Sequence, residues 1–178
     1  KDPSFFRAIL NLLSQNRHKN GGYIVHIGIT LLFVGFVGRA FEVEREFVLK
    51  PGEQTYFANY NFILNSVTTE QRNNHLAAIS TMDVTDESNT YITTLYPEKR
   101  IYFYRNPDTA KHQPHSELDI YSTMNKDIYS VFSSYDSDTK EAYFKIMINP
   151  LVNWVWIGGI MIVLGSLFAF WPSSSRRD

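Results

Sequence analysis

Residues 22–41 read GYIVHIGITLLFVGFVGRAF, and residues 151–171 read LVNWVWIGGIMIVLGSLFAFW. The first run is apolar apart from His26, Thr30 and Arg39, and the second holds no charged residue. Each is about 20 residues, which as a helix spans roughly 30 Å, the hydrocarbon thickness of a bilayer. A helix buried in a soluble core is the alternative. It needs apolar neighbours on every side, which a chain of 178 residues cannot supply twice. The chain is therefore expected to cross a membrane two times.

Charge outside the two runs sets the orientation. The flanks carry Lys1, Arg7, Arg17, Lys19, Arg176 and Arg177 against only Asp2 and Asp178. All other charged residues lie between Arg39 and Pro150, where acidic side chains outnumber basic ones. The positive-inside rule then predicts both ends in the cytoplasm and the middle outside. Trp154 and Trp156 at one border of the second span and Trp171 at the other are interfacial anchors. With no cysteine, the chain has no disulfide and no thiol chemistry. It opens on Lys1 without the pattern of a signal peptide, and we expect it to be the C-terminal piece of something longer.

Between the spans the hydrophobic period changes from helical to alternating. Phe41, Val43, Phe47 and Leu49 alternate with Glu42, Glu44, Glu46 and Lys50, which predicts a half-buried strand. Pro51-Gly52 fits the centre of a type II turn. Further strands are expected within 54–67, 76–84, 90–96, 101–104, 118–123, 127–133 and 141–148. Turn signals separate them at Asn73-Asn74, Asp86 to Asn89, Asn106-Pro107 and Asp136 to Asp138. Strands at this spacing, rich in β-branched and aromatic residues, indicate an antiparallel sandwich or barrel.

The expected organisation has five parts. A cytoplasmic amphipathic helix and a flexible basic linker occupy 1–20, with Asp2-Pro3 as its start and Arg17 to Gly22 as the membrane approach. A first transmembrane helix follows over 21–41, then an extracytoplasmic β-domain over 42–149. A second transmembrane helix covers 150–172 and a cytoplasmic tail 173–178.

One residue inside the first span stands out chemically. An ionisable side chain at membrane depth is costly and usually faces a bundle interior or a functional site. Steps of three and four place Gly22, His26, Thr30, Phe33 and Val37 on one face, with Gly28, Gly35 and Arg39 roughly opposite. Gly158, Gly159 and Gly165 in the second span would also permit close helix approach. Two readings of His26 are open: a hydrogen bond to a neighbouring helix or headgroup water, or axial ligation of a haem iron by a neutral imidazole. A bis-histidine site would need a partner from outside this chain. The other histidines carry less. His112-Gln113-Pro114-His115 reads as a solvated loop rather than a metal pair, and His18 and His75 read as surface positions. No serine–histidine–aspartate set, phosphate loop or close carboxylate pair is present in the pattern, and nothing in it points to nucleic acid.

Gly21-Gly22-Tyr23-Ile24-Val25-His26-Ile27-Gly28 resembles the GGxxxHxG start of a late transmembrane helix in CcmF/NrfE-type haem lyases. Four further segments resemble the same family in order and spacing. They are Leu49-Lys50-Pro51-Gly52-Glu53, then Leu95 to Arg100, then Ser116 to Ile120 with Asp127-Ile128-Tyr129, and last Asn149 to Gly159. The resemblance implies a role in cytochrome c maturation in the bacterial inner membrane. Such lyases receive haem from a chaperone and promote its attachment to apocytochrome c at the outer face. They also hold a haem b between two transmembrane histidines, and His26 matches one of these ligands. The second ligand and the tryptophan-rich haem-handling segment lie upstream in the family, so no catalytic residue is expected in this chain. The partners implied are that upstream part or other maturation subunits, the haem chaperone and apocytochrome c. The competing expectation is a non-catalytic membrane-anchored β-module, a scaffold or sensory subunit.

Overall fold

The computed structural model describes residues 16–102 and 114–171. Two units are separable. One consists of the two apolar helices and the other of residues 41–150.

In the helical unit, α1 spans Arg17–Gly38 and ends in a 3-10 turn over Arg39–Phe41. Helix α2 spans Val152–Phe170. The helix start corrects one expectation: Arg17 to Gly22 is not a flexible linker but the first turns of α1. No proline interrupts it, so the helical ladder runs on through the polar residues. Residues 1–15 and 172–178, where the amphipathic helix and the tail were expected, lie outside the described residues.

The two helices run antiparallel, as the order of their contacts shows. A Cβ added at Gly21 would lie 2.6 Å from the Ala169 Cβ, one at Gly28 would lie 2.8 Å from the Gly158 carbonyl oxygen, and one at Gly35 would lie 2.5 Å from Val155 Cγ2. Seven residues are about two helical turns, so this spacing keeps all three glycines on one stripe. Gly158 and Gly165 form the facing stripe on α2, and all five glycines are buried. By contrast, Gly22 and Gly159 have open space where a Cβ would stand.

Among the described residues the β unit contains ten strands, all paired antiparallel. They are β1 Val43–Leu49, β2 Gln54–Phe57, β3 Tyr60–Gln71, β4 His75–Asp86, β5 Tyr91–Leu95, β6 Glu98–Tyr102, β7 Pro114–Glu117, β8 Asp119–Ser122, β9 Lys126–Tyr135 and β10 Ala142–Pro150. One sheet has the order β1-β10-β9-β8. The other has the order β2-β3-β4-β6-β7, with β5 pairing the remaining part of β4. The core lies between them. Phe62, Leu64, Met82, Val84 and Leu95 come from the larger sheet, and Ile128, Phe132, Phe144 and Ile146 from the smaller. Phe132 and Phe144 stack with centroids 5.0 Å apart. In the strand expected over 141–148, Phe144, Ile146 and Ile148 alternate into this core.

Local chemistry explains the connections. Gly52 has φ +91°, and the Glu53 N–H donates to the Lys50 carbonyl at 2.9 Å, which makes Lys50 to Glu53 the expected type II turn. The β2–β3 hairpin turns on Ala58 and Asn59, both at positive φ, the two-residue geometry that matches strand twist. Asp86 accepts bonds from the Ser88 N–H, the Ser88 hydroxyl and the Thr90 N–H, fixing the turn from β4 to β5.

Some expectations shift. Phe41 belongs to the 3-10 turn and Val43 is exposed, so the first strand is wetter than its pattern implied. The strand expected over 101–104 begins earlier, at Glu98. Pro114 and His115 belong to an edge strand, not a loop. Proline is compatible with this place because an edge strand leaves one side of its backbone unpaired. His112 and the Asn106-Pro107 turn lie outside the described residues. His75 is buried rather than a surface residue, since it starts β4 and its ring packs 5.0 Å from Tyr102.

Candidate functional site

Helix α1 divides its faces sharply. Gly21, Gly28 and Gly35 face α2, and this commits the residues about half a turn away to the outside. His26 is one of them and is exposed, together with Phe33 and Val37. The expected separation of the imidazole from Gly28 and Gly35 is therefore present. Gly21 joins the seam although the sequence pattern put it in the linker. Arg39, placed on the glycine face by its spacing, is exposed in the 3-10 turn.

The imidazole is oriented by its own helix. His26 Nδ1–H donates to the Gly22 carbonyl at 2.7 Å, and the Thr30 hydroxyl donates to the His26 carbonyl at 2.9 Å. A carbonyl can only accept, so Nδ1 carries the proton, and in the neutral imidazole Nε2 is then the nitrogen with the free lone pair. A metal would need that lone pair, and the bond at the other ring nitrogen fixes the orientation of the imidazole. Among the described residues no cluster of three histidine, aspartate or glutamate side chains could hold a metal ion by itself. A metal at His26 would therefore need ligands from beyond the described residues.

Two of the segments that carried the family resemblance, Leu95 to Arg100 and Ser116 to Ile120, meet in the β unit. The Tyr96 N–H donates to Asp119 Oδ2 at 2.7 Å, and Arg100 pairs with Glu98 at 2.8 Å and Glu117 at 3.3 Å. Pro97 is fully buried, and its carbonyl accepts from both the Ser80 N–H and hydroxyl at 3.1 Å, which joins β5 to β6 along one edge of β4. Asp127 is buried, and Tyr129 beside it has its phenol pushed above the usual range, first by burial and then by the Asp127 charge. These residues read in sequence as separate landmarks. In space they lock strands together, so their role is to hold the sandwich.

Two long apolar helices, each a candidate membrane span, bracket an antiparallel sandwich in sequence, with one oriented imidazole on the exposed face of the first. The model of the family described as "CcmF C-terminal beta-sandwich" matches residues 40–150, and the chain belongs to that family. It is 26% identical over 174 residues to the cytochrome c-type biogenesis protein CcmF of Haemophilus influenzae, covering 97% of this chain and 25% of that protein. It is 31% identical over 147 residues to the cytochrome c-type biogenesis protein ccl1 of Rhodobacter capsulatus, covering 82% of this chain and 21% of that one. A solved structure titled "Cytochrome c Heme Lyase CcmF" has the same fold, with a TM-score of 0.68 and 18% identity over 89% of this chain and 25% of its own. The chain spans about a quarter of the length of these relatives.

Proposed function

We propose that this chain is the C-terminal part of a haem lyase of cytochrome c maturation, in which His26 supplies one axial imidazole to a haem b in the membrane. The observation that carries the reading is the oriented, outward His26, with Nδ1 tied to Gly22 and Nε2 left with its lone pair. A haem bound there would supply one-electron redox chemistry. The residues of this chain have simpler tasks. The Gly22 carbonyl holds the ring, and the glycine seam turns it away from α2, onto the exposed face that also carries Phe33 and Val37. A second ligand would come from a part of the assembly outside this chain.

The charge distribution supports both helix ends that leave the β unit being cytoplasmic, with the sandwich outside the bacterial inner membrane. There the sandwich would serve the meeting of haem chaperone and apocytochrome c. His26→Ala in the full-length protein tests the reading. We expect the purified protein to lose its low-spin haem spectrum and the yield of matured cytochrome c to fall at least tenfold. An unchanged spectrum with undiminished maturation would overturn it, and would favour a purely structural β-module.

A further inference from the structure

The alternation of β6 sends its charges to different places. Glu98 and Arg100 pair with each other and, through Arg72 and Glu117, form a surface ion cluster. Lys99 and Ile101 point the other way, into a cavity of about 450 Å³ between the larger sheet and the end of β9. Its walls include Leu76, Ala78, Ile101 and Tyr135, and Lys99 is the only charged residue among the described residues lining it. The Lys99 ammonium donates to the Ser116 hydroxyl at 2.8 Å, which donates in turn to the Phe132 carbonyl at 2.9 Å. No carboxylate among the described residues pairs with it.

Position and chemistry are at odds here. A partly desolvated ammonium that has no counter-charge among the described residues is a cost that an apolar residue would avoid. Burial accordingly pushes the Lys99 amine below its usual range. The volume suits a small molecule and not a macromolecular segment. We propose that this cavity binds a small amphiphile, an aliphatic chain ending in one carboxylate, with the chain against Leu76, Ala78 and Ile101 and the carboxylate on Lys99. The ligand supplies the missing counter-charge and fills the apolar walls. This site is independent of His26 and of haem.

The test uses the full chain in lipid nanodiscs, titrated with octanoate and followed by the Ala78 methyl resonance, which partition of octanoate into lipid does not move. We expect a saturable shift, weakened at least tenfold by Lys99→Met and restored by Lys99→Arg. Octanol should bind more weakly and be indifferent to Lys99→Met. Leu76→Trp, which fills the cavity, should abolish the shift for both. Absence of a saturable shift in the unmodified chain, equal octanoate affinity in Lys99→Met, or equal affinity for octanol and octanoate would overturn the proposal. A purely structural Lys99 would lower thermal stability in Lys99→Met and leave octanoate affinity unmoved.

Discussion

Between α1 and α2 the contact runs along Gly21, Gly28, Gly35, Gly158 and Gly165, where no Cβ would fit without a shift, whereas the space between the two sheets is filled by Phe62, Phe132 and Phe144. The contrast follows from the two solvents. In water, large side chains gain most by leaving the solvent, so the sandwich core is aromatic. In lipid there is little hydrophobic gain from helix contact, so close backbone packing at small residues carries the association. The large residues of the helices lie outside instead: Phe33, Phe36, Trp156 and Leu167 are all exposed. One chain thus has two cores of opposite composition, and His26 sits on the face that the glycine seam leaves free.

The largest effect should come from the aromatic core. Phe144→Ala removes half of the stacked pair with Phe132 and should cost about 3–5 kcal/mol of sandwich stability. Chemical denaturation followed by near-ultraviolet circular dichroism measures it; a loss well under 1 kcal/mol would mean the sheets do not rely on that pair. The seam comes next. Gly28→Val puts a branched side chain against the Gly158 carbonyl and should cost about 1–3 kcal/mol or push the helices apart. Because the chain has no cysteine, single spin labels placed on each helix would read that separation directly. Gly22→Ala is the contrasting control. Nothing stands where its Cβ would be, so helix propensity alone predicts no separation and a gain of up to about 1 kcal/mol.

The smallest effect is electrostatic and local to the β4–β5 turn. The Ser88 hydroxyl, with help from the Thr90 and Ser88 N–H groups, holds the Asp86 carboxyl below its ordinary value. A depressed carboxyl stabilises the fold above the ordinary carboxylate range and loses that contribution as pH falls through its lower folded value. The melting difference between the unmodified chain and Asp86→Ala should therefore be present at pH 6 and shrink in strong acid. A difference that persists undiminished there would place the turn's stability elsewhere.

Much of this arrangement was legible in the residues. The two apolar runs, the Pro51-Gly52 turn and the alternating strands all follow from local rules that the surroundings did not override. The opposition of His26 to Gly28 and Gly35 was legible too, since it is simple helix geometry. What escaped depended on neighbours distant in sequence. Pro114 reads as a strand breaker until β7 is known to be a sheet edge. His75 reads as exposed beside Asn74 until Tyr102 closes over it. Lys99 could not be assigned a face, because Glu98, Lys99 and Arg100 present charge on both sides of the strand. Ala58 at φ +48° gives no turn signal at all, since glycine or asparagine is the usual mark of that conformation.

His26, on the face freed by the glycine seam, is the proposed iron ligand. The most direct measurement of this is the absorption spectrum of the full-length protein bearing His26→Gly, recorded with and without added imidazole. We predict loss of the low-spin bis-imidazole bands in the variant and their return with imidazole. Bands that persist in the variant without imidazole would contradict the claim.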